Sequence, residues 1–260
     1  MKIYLAPMEG LTGYVFRNAY EKHFGKGKID KYFIPFISPN QSDGYTARER
    51  ADIDVKNNEG INAVPQIMAN NSKYFLKAAQ MLAEMGYTEI NLNVGCPSGT
   101  VVSKFRGAGF LAIPDELDRF LEEILSSSEM KGIDFSVKTR LGMEKPEEFE
   151  RLLDIYNKYP LKELIVHPRV RSDFYNNTPN LEYFELALER SVNPICYNGD
   201  IFTKADYVKL TERFGQDKYA AFNAVMLGRG LVGNPSLIDI MTADNPNEYE
   251  LDKAACKKKN

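Results

Sequence analysis

A thiol stands where a buried strand would end, in residues 91–107, NLNVGCPSGTVVSKFRG. The first residues of this stretch alternate as in a strand, and Cys96 then follows a glycine and precedes a proline. A cysteine needed only for packing belongs inside the strand, among buried side chains. A thiol on the loop after a strand can instead donate a proton to a bound substrate.

Other polar side chains also fall at the ends of apolar runs. His167 ends the run ELIVH and is one of two histidines, and His23, in a helical pattern, is expected at the surface. Lys138 lies within FSVKTRLG, where a buried lysine is costly unless an anion or an acceptor pairs with it. Gln66 and Asn198 end two further runs. His167 could also cap a strand, Gln66 could satisfy backbone groups, and Asn198 could serve a turn.

Two glycine-containing stretches predict an anion site. NGD at residues 198–200 and GRG at residues 228–230 place small residues where backbone amides can approach a ligand. Barrel enzymes often bind phosphate with the loops after strands seven and eight. Arg229 adds a planar, permanently charged group that suits phosphate.

The combination favours a flat anionic cofactor. A flavin needs a positive partner near its N1–C2=O edge, which Lys138 and His167 can provide. The amide of Gln66 suits the donor and acceptor edge of the ring. Cys96 would face such a ring and protonate a substrate on the face opposite a hydride.

The elements that must position these residues alternate between strands and helices. The apolar runs are residues 3–6, 32–37, 63–67, 89–93, 135–139, 163–167, 194–197 and 224–228. The helical patterns between them are residues 72–85, 114–125, 146–156, 181–189 and 203–214. Ser72 and Gly86 are the expected caps of the first pattern, and Thr203 and Gly215 those of the last. Runs about 30 residues apart indicate βαβ units and a parallel sheet.

Eight such units favour a closed (β/α)₈ TIM barrel of the α/β class. A doubly wound sheet would use fewer strands and a glycine-rich turn after the first, whereas this chain has APMEG there. In a barrel the ends of all eight strands meet at one rim, so the polar side chains described above would converge.

Composition sets broad limits on the function. The 260 residues carry a formal net charge of −3, which does not identify a nucleic-acid-binding protein but leaves room for a local basic face. No apolar run approaches the roughly 18 residues of a membrane span. Three cysteines without a CxxC pair argue against disulfides or a zinc site and favour a reducing compartment. We expect a cytoplasmic protein with no metal and no membrane contact, and a monomer is favoured.

The residues together resemble the tRNA-dihydrouridine synthases, FMN-dependent enzymes that reduce uridine in tRNA to 5,6-dihydrouridine. The matching segments lie in family order between about residues 5 and 238: LAPMEGLTGYVFR, NLNVGCPSGTVVSKFRGAGFLA, SVKTRLG, IVHPRVRSDFYN, NGDIFT and MLGRGLVGNPSLI. The most specific elements are N-x-G-C-P and V-K-T-R-L-G.

The resemblance implies a role for each matching position. Cys96 matches the general acid, and Asn93 and Arg140 match positions near the substrate uracil. The FMN-contacting positions are Pro7, Met8, Gln66, Lys138, His167, Asn198, Gly199, Asp200, Gly228 and Arg229. Candidate contacts to tRNA phosphates on the rim are Lys104, Arg106, Arg169 and Arg171.

The resemblance also implies the reaction. NADPH reduces FMN, a hydride passes to uracil C6, and the thiol protonates C5. The base must leave its stack to reach the site, as in other enzymes that act on bases. The resemblance leaves open which uridine is modified and whether NADPH is preferred to NADH.

The domain organisation expected is one FMN-binding catalytic TIM barrel at residues 1–240 and a short C-terminal tail at residues 241–260. Family members continue past the barrel into a helical domain that helps to hold tRNA, whereas only about 20 residues follow the last motif in this chain. We expect the tail to be frayed and to be a truncated remnant of that domain.

Two alternatives remain open. The chain could be a truncated flavoprotein or RNA-binding remnant without activity on tRNA. It could also be a phosphate-binding barrel lyase or isomerase in which Lys138 forms a Schiff base, although that function leaves Cys96 without a role.

Overall fold

The computed structural model describes residues 1–41 and 44–243. In this part of the chain nine parallel strands form one sheet in the order β3-β2-β1-β9-β8-β7-β6-β5-β4. The strands are β1 (Lys2–Leu5), β2 (Lys31–Phe33), β3 (Ala63–Val64), β4 (Gln66–Ile67), β5 (Glu89–Val94), β6 (Asp134–Arg140), β7 (Glu163–His167), β8 (Ile195–Tyr197) and β9 (Phe222–Leu227).

Pro65 explains why eight predicted runs give nine strands. Proline has no N–H to donate, so the run at residues 63–67 is interrupted between β3 and β4. β3 pairs with β2, whereas β4 pairs with β5. Because β3 and β4 are consecutive, these two pairings bring the ends of the sheet together around a barrel. The expected (β/α)₈ TIM barrel is confirmed.

Ten α-helices connect or follow the strands in the described part of the chain. They are α1 (Tyr14–Tyr20), α2 (Ala47–Ile53), α3 (Ser72–Glu84), α4 (Gly99–Val102), α5 (Pro114–Leu125), α6 (Glu148–Tyr156), α7 (Leu181–Arg190), α8 (Lys204–Phe214), α9 (Arg229–Gly233) and α10 (Leu237–Thr242). The bounds predicted for α5 are confirmed to the residue. His23 lies in a π-helical turn and is exposed, as expected.

The predicted caps of α8 are confirmed, whereas each cap of α3 lies one residue before the predicted position, at Asn71 and Met85. Thr203 caps α8, accepting the Asp206 N–H in a capping box, and Gly215 follows the helix. The expectation that Ser72 caps α3 is wrong, because the Asn71 side chain accepts the N–H of Tyr74 instead. Asparagine and serine are similar N-cap residues, so the pattern alone did not distinguish them.

The C-terminal end of the described chain is α10. This helix runs to Thr242, across the boundary expected at residue 240, and its Leu237, Ile238 and Met241 are buried. Most of the expected tail, residues 244–260, lies outside the described residues. Within the described part, no helix combines the length and the apolar character that crossing a bilayer requires.

The interior of the barrel has an apolar side and a polar side. Alternate residues of each strand point inward. The apolar group consists of Tyr4, Ala6, Phe33, Val64, Ile165, Cys196, Ala224 and Met226. The inward polar side chains of β4, β5 and β6 include Gln66, Asn91, Asn93 and Ser136, all buried. Burial raises the pKa of the Cys196 thiol, so only Cys96 of the two described cysteines is suited to chemistry.

Candidate active site

A cavity of about 330 Å³ opens at the carboxyl ends of the strands. Twelve of the seventeen residues singled out from the sequence line it. They are Pro7, Met8, Asn93, Cys96, Lys138, Arg140, His167, Asn198, Gly199, Asp200, Gly228 and Arg229. The five that do not line it are Gln66, Lys104, Arg106, Arg169 and Arg171.

The Cys96 turn is fixed from both sides. Asn93 Oδ1 accepts the backbone N–H groups of Gly95 and Cys96, each at 3.0 Å. The Cys96 carbonyl accepts the N–H of Ala108 at 3.0 Å. Gly107 has φ +52°, and a Cβ there would lie 2.9 Å from Cys96 Cβ, so a side chain is excluded. The Cys96 side chain is partly buried at the cavity wall. The hydrogen bonds to the Cys96 N–H and carbonyl hold the backbone of this residue in place.

Arg140 joins the Cys96 loop to the loop after β7. Its side chain is 1% exposed, and Nε donates to the Gly95 carbonyl at 2.9 Å. Its other nitrogens donate to the carbonyls of Val170 at 3.0 Å and Phe174 at 2.7 Å. Arg140 therefore holds two loops of the rim together while it lines the cavity.

His167 is neutral and carries its proton on Nδ1. Arg169 Nη1 lies 3.0 Å from His167 Nε2, and a guanidinium can only donate, so Nε2 is the acceptor. Burial, followed by the charges of Arg140 and Lys138, lowers the pKa of His167 well below its ordinary value. His167 therefore offers an Nδ1–H donor, and among the described residues that hydrogen has no hydrogen-bond acceptor.

Arg169 lies behind His167 and not on the rim. It is 1% exposed, and Nε donates to the Asn177 carbonyl at 2.6 Å. Both terminal nitrogens donate to the carboxylate of Asp200. Asp200 also accepts from Arg229 at 2.7 Å, so one carboxylate lies between two guanidinium groups and leaves one positive charge uncompensated. Arg229 is 43% exposed in its side chain and can reach a ligand.

Lys138 adds to this positive field. Burial, and then the nearby charge of Arg140, lowers the pKa of Lys138 to about 8. An anion bound in the cavity would favour the charged form of this amine. With Arg229 and the Nδ1–H of His167, the cavity presents a donor set that fits an anionic ligand.

The remaining basic residues lie outside the cavity. Lys104 is exposed, and its carbonyl accepts from Asn70, which in turn accepts from Arg106 Nε at 3.4 Å. Arg171 lies against Phe174, with 5.0 Å from its Cζ to the ring centroid. The Nε of Arg171 is buried without a hydrogen-bond partner in the described structure.

Aromatic residues at the mouth were not singled out from the sequence. Tyr175 is 51% exposed and lies between Arg140 and Arg229, whose Cζ atoms are 5.3 and 4.9 Å from its ring centroid. Phe202 is 44% exposed and also contacts Arg229, at 5.5 Å. The signal in the sequence was an aromatic residue inside a polar loop after a strand, as in SDFYNN.

Two of the exposed aromatics on the rim have strained backbone. Phe105 and Phe174 are the two non-glycine residues with positive φ in the described chain, at 52° and 51°. They are 50% and 41% exposed, on the loops after β5 and β7. Strained backbone of this kind is most often found at functional sites.

A parallel barrel with a cationic cavity and a fixed thiol at its carboxyl end is the architecture of a (β/α)₈ enzyme. Solved structures confirm the fold alone. The chain superposes on 3-hexulose-6-phosphate synthase from Salmonella typhimurium with a TM-score of 0.56 and 14% identity, over 93% of this chain and 96% of that one. It superposes on N-(5'-phosphoribosyl)anthranilate isomerase from Pyrococcus furiosus with a TM-score of 0.51 and 14% identity, over 93% of this chain and 96% of that one.

Sequence comparison gives the family. Residues 4–260 match the family described as Dihydrouridine synthase (Dus). The "tRNA-dihydrouridine synthase B" of Pasteurella multocida is 30% identical over 243 residues, 92% of this chain and 68% of that protein. The "Probable tRNA-dihydrouridine synthase 2" of Bacillus subtilis is 27% identical over 259 residues, 95% of this chain and 74% of that protein. The chain belongs to the dihydrouridine synthase family.

Proposed function

We propose that this chain reduces uridines in tRNA to 5,6-dihydrouridine, with FMN bound in the cavity and NADPH as the reductant. The observation that carries the proposal is a thiol fixed at the wall of a cationic cavity in a member of the dihydrouridine synthase family. Cytoplasmic location follows from the substrate and not from a separate observation.

The residues present fit FMN. Lys138 would be the positive partner for the N1–C2=O edge, and His167 would donate from Nδ1. Asn198, Gly199, Gly228 and Arg229 surround the end of the cavity where a phosphate would bind, with Asp200 orienting Arg229. Pro7 and Met8 also line the cavity, with Met8 Sδ 3.5 Å from the position that a Cβ on Gly228 would take. Gln66 is buried behind Asn93, whose Nδ2 donates to it at 2.7 Å, so it would act on the cofactor site through Asn93.

FMN held by these residues and reduced by NADPH would supply the hydride that uracil C6 receives. The Cys96 thiol donates its proton to C5, so that the C5=C6 double bond gains one hydride and one proton. The thiolate that remains recovers a proton from water. Asn93 and Arg140 hold the backbone that carries the thiol, through the Cys96 N–H and the Gly95 carbonyl.

The rim fits a nucleic acid with an unstacked base. Lys104, Arg106 and Arg171 supply positive charge for phosphates. The exposed rings of Phe105, Phe174, Tyr175 and Phe202 supply surfaces on which bases can stack. Arg169 contributes indirectly, since it is buried and pairs with Asp200.

A second candidate function is a barrel lyase or isomerase with a Schiff base on Lys138. The pKa of about 8 favours it, because an amine with a lowered pKa is a better nucleophile near neutral pH. Borohydride trapping of a carbonyl substrate on Lys138 would support this function. Absence of trapping, together with FMN uptake, would eliminate it.

The proposal is tested by complementation. A strain lacking its own dihydrouridine synthases would receive this chain or its Cys96→Ala variant, and nucleosides from its tRNA would be analysed by mass spectrometry. We expect dihydrouridine with the wild-type chain only, and FMN released on denaturation from both purified proteins. A wild-type chain that binds FMN but restores no dihydrouridine would indicate a flavoprotein without activity on tRNA.

A further inference from the structure

A chain of hydrogen bonds crosses the barrel interior from its amino-terminal floor to the Cys96 turn. Strand register brings its members side by side, since Gln66 pairs with Asn91 and Asn91 pairs with Ser136. Residues two apart on a strand share a face, so Glu89 and Asn93 lie on the same inward face of β5 as Asn91. The chain spans β4, β5 and β6.

The upper end of the chain fixes the direction of its bonds. The backbone N–H groups of Gly95 and Cys96 can only donate, so Asn93 must present Oδ1 to them. Its Nδ2 then donates to Gln66 Oε1 at 2.7 Å. This leaves Gln66 Nε2 to donate to Asn91 Oδ1, also at 2.7 Å.

The lower end requires the same direction independently. Glu89 is held by Lys31, with 2.7 Å between Nζ and Oε2, and its ionised carboxylate can only accept. The Ser136 hydroxyl donates to it at 3.0 Å. Ser136 Oγ is then an acceptor for Asn91 Nδ2, at 2.9 Å. Both ends therefore place each amide in the same orientation.

The middle of this chain is sealed from water. Asn91 and Ser136 are 0% exposed and Gln66 is 1% exposed. In such surroundings an unpaired amide is costly, and neighbouring hydrogen bonds strengthen one another. Reversal of one amide would set two donors or two acceptors against each other, so the orientations are coupled.

We propose that Asn91 and Ser136 are positioning residues for Cys96, acting through Gln66 and Asn93 from the Lys31–Glu89 pair at the floor. Neither residue lines the cavity. They orient the Asn93 carbonyl that holds the Cys96 backbone. The catalytic consequence rests on the proposed function, in which Cys96 is the proton donor, whereas the structural consequence does not.

The test uses the full chain with Ser136→Ala and Asn91→Leu, each purified with FMN. The matched control is Thr139→Val on the same strand, because the Thr139 hydroxyl lies outside the chain of hydrogen bonds. It bonds the Tyr156 hydroxyl and the Arg140 carbonyl, each at 2.9 Å, on the outer face of the barrel. Hydrogen exchange at the Gly95 and Cys96 amides is measured by NMR, and kcat and KM are measured with tRNA. Ser136→Thr, which restores a hydroxyl, serves as the rescue variant.

We expect exchange at both amides to accelerate about tenfold in Ser136→Ala and Asn91→Leu, and kcat to fall about tenfold with little change in KM for tRNA. Thr139→Val should change neither the amide exchange nor kcat. Ser136→Thr should keep both near their wild-type values. Unchanged exchange at Gly95 and Cys96 in folded Ser136→Ala would overturn the proposal. If the exchange changes but the wild-type chain forms no dihydrouridine, the proposed function fails while the positioning role stands.

Discussion

The Cys96 N–H donates to Asn93 Oδ1 at 3.0 Å, so the residue that carries the thiol is held through its backbone. The Cys96 side chain lines the cavity, where its thiol can meet a bound substrate. Buried cysteines in a strand, such as Cys196, offer no such arrangement. In Cys96 the backbone therefore anchors the turn while the thiol remains free to react.

Lys138 makes FMN binding depend on pH. Its pKa of about 8 in the free protein means that the amine is charged at pH 7 and mostly neutral at pH 9. Because the anionic cofactor favours the charged form, FMN should bind about tenfold more weakly at pH 9 than at pH 7. Quenching of FMN fluorescence measures this. Lys138→Met should bind FMN weakly, with an affinity that does not change between pH 7 and pH 9. If its affinity falls as steeply as that of the wild type, a group other than Lys138 causes the pH dependence.

The tautomer of His167 can be observed directly. With ¹⁵N-labelled histidine the chain gives two sets of ring signals, from His23 and His167. We expect His167 at pH 7 to be neutral, with a protonated Nδ1 and an unprotonated Nε2, because Nε2 accepts from Arg169. His23, which is exposed, serves as the internal reference. A protonated Nε2 on a neutral ring would contradict the assignment.

Arg140 should contribute strongly to stability. It is 1% exposed and donates to three backbone carbonyls from two loops. Arg140→Met should lower the free energy of unfolding by about 2–4 kcal/mol, because these carbonyls lose a charged donor. The control is Arg151→Met, which removes an ion pair whose Arg151 side chain is 59% exposed, with an expected cost below about 1 kcal/mol. Urea unfolding measures both changes. If Arg140→Met and Arg151→Met lower the free energy of unfolding equally, the stabilising role of Arg140 is disproved.

At Phe105 a glycine variant should be more stable than an alanine variant, which is the reverse of the order expected in a helix. Its φ of 52° is costly for any residue with a Cβ, so Phe105→Gly should be more stable than Phe105→Ala by about 1 kcal/mol. At Lys209, an exposed position in α8, the Lys209→Ala variant should be more stable than Lys209→Gly by a similar amount. Thermal unfolding of the four variants measures both differences. The same order at the two positions would mean that the backbone of Phe105 is unstrained.

The barrel was predictable because its signals are local. Apolar runs of strand length, spaced by amphipathic helices, define βαβ units without knowledge of the contacts between them. The convergence of Lys138, His167 and Asn198 on one cavity then follows from parallel topology, since all strand ends meet at the same rim. The split of the third run at Pro65 is also a local effect.

The side-chain partners were not predictable because they depend on tertiary packing. Arg169 and Arg171 look alike in PRVRSD, yet Arg169 pairs with Asp200, thirty-one residues away, and Arg171 packs on Phe174. Gln66 was expected to contact a cofactor or backbone groups, and it bonds the side chains of Asn91 and Asn93. Such pairings depend on strand register, which the apolar pattern does not specify at the level of single contacts.

The most direct measurement of the central claim is a single-turnover reaction with Cys96→Ala. Wild-type chain and variant are loaded with FMN, reduced with NADPH and mixed with tRNA that lacks dihydrouridine. We expect both proteins to be reduced at similar rates, and the variant to form dihydrouridine at least about a hundredfold more slowly because the proton donor is gone. Equal rates of dihydrouridine formation in the two proteins would contradict the assignment of Cys96 as the acid.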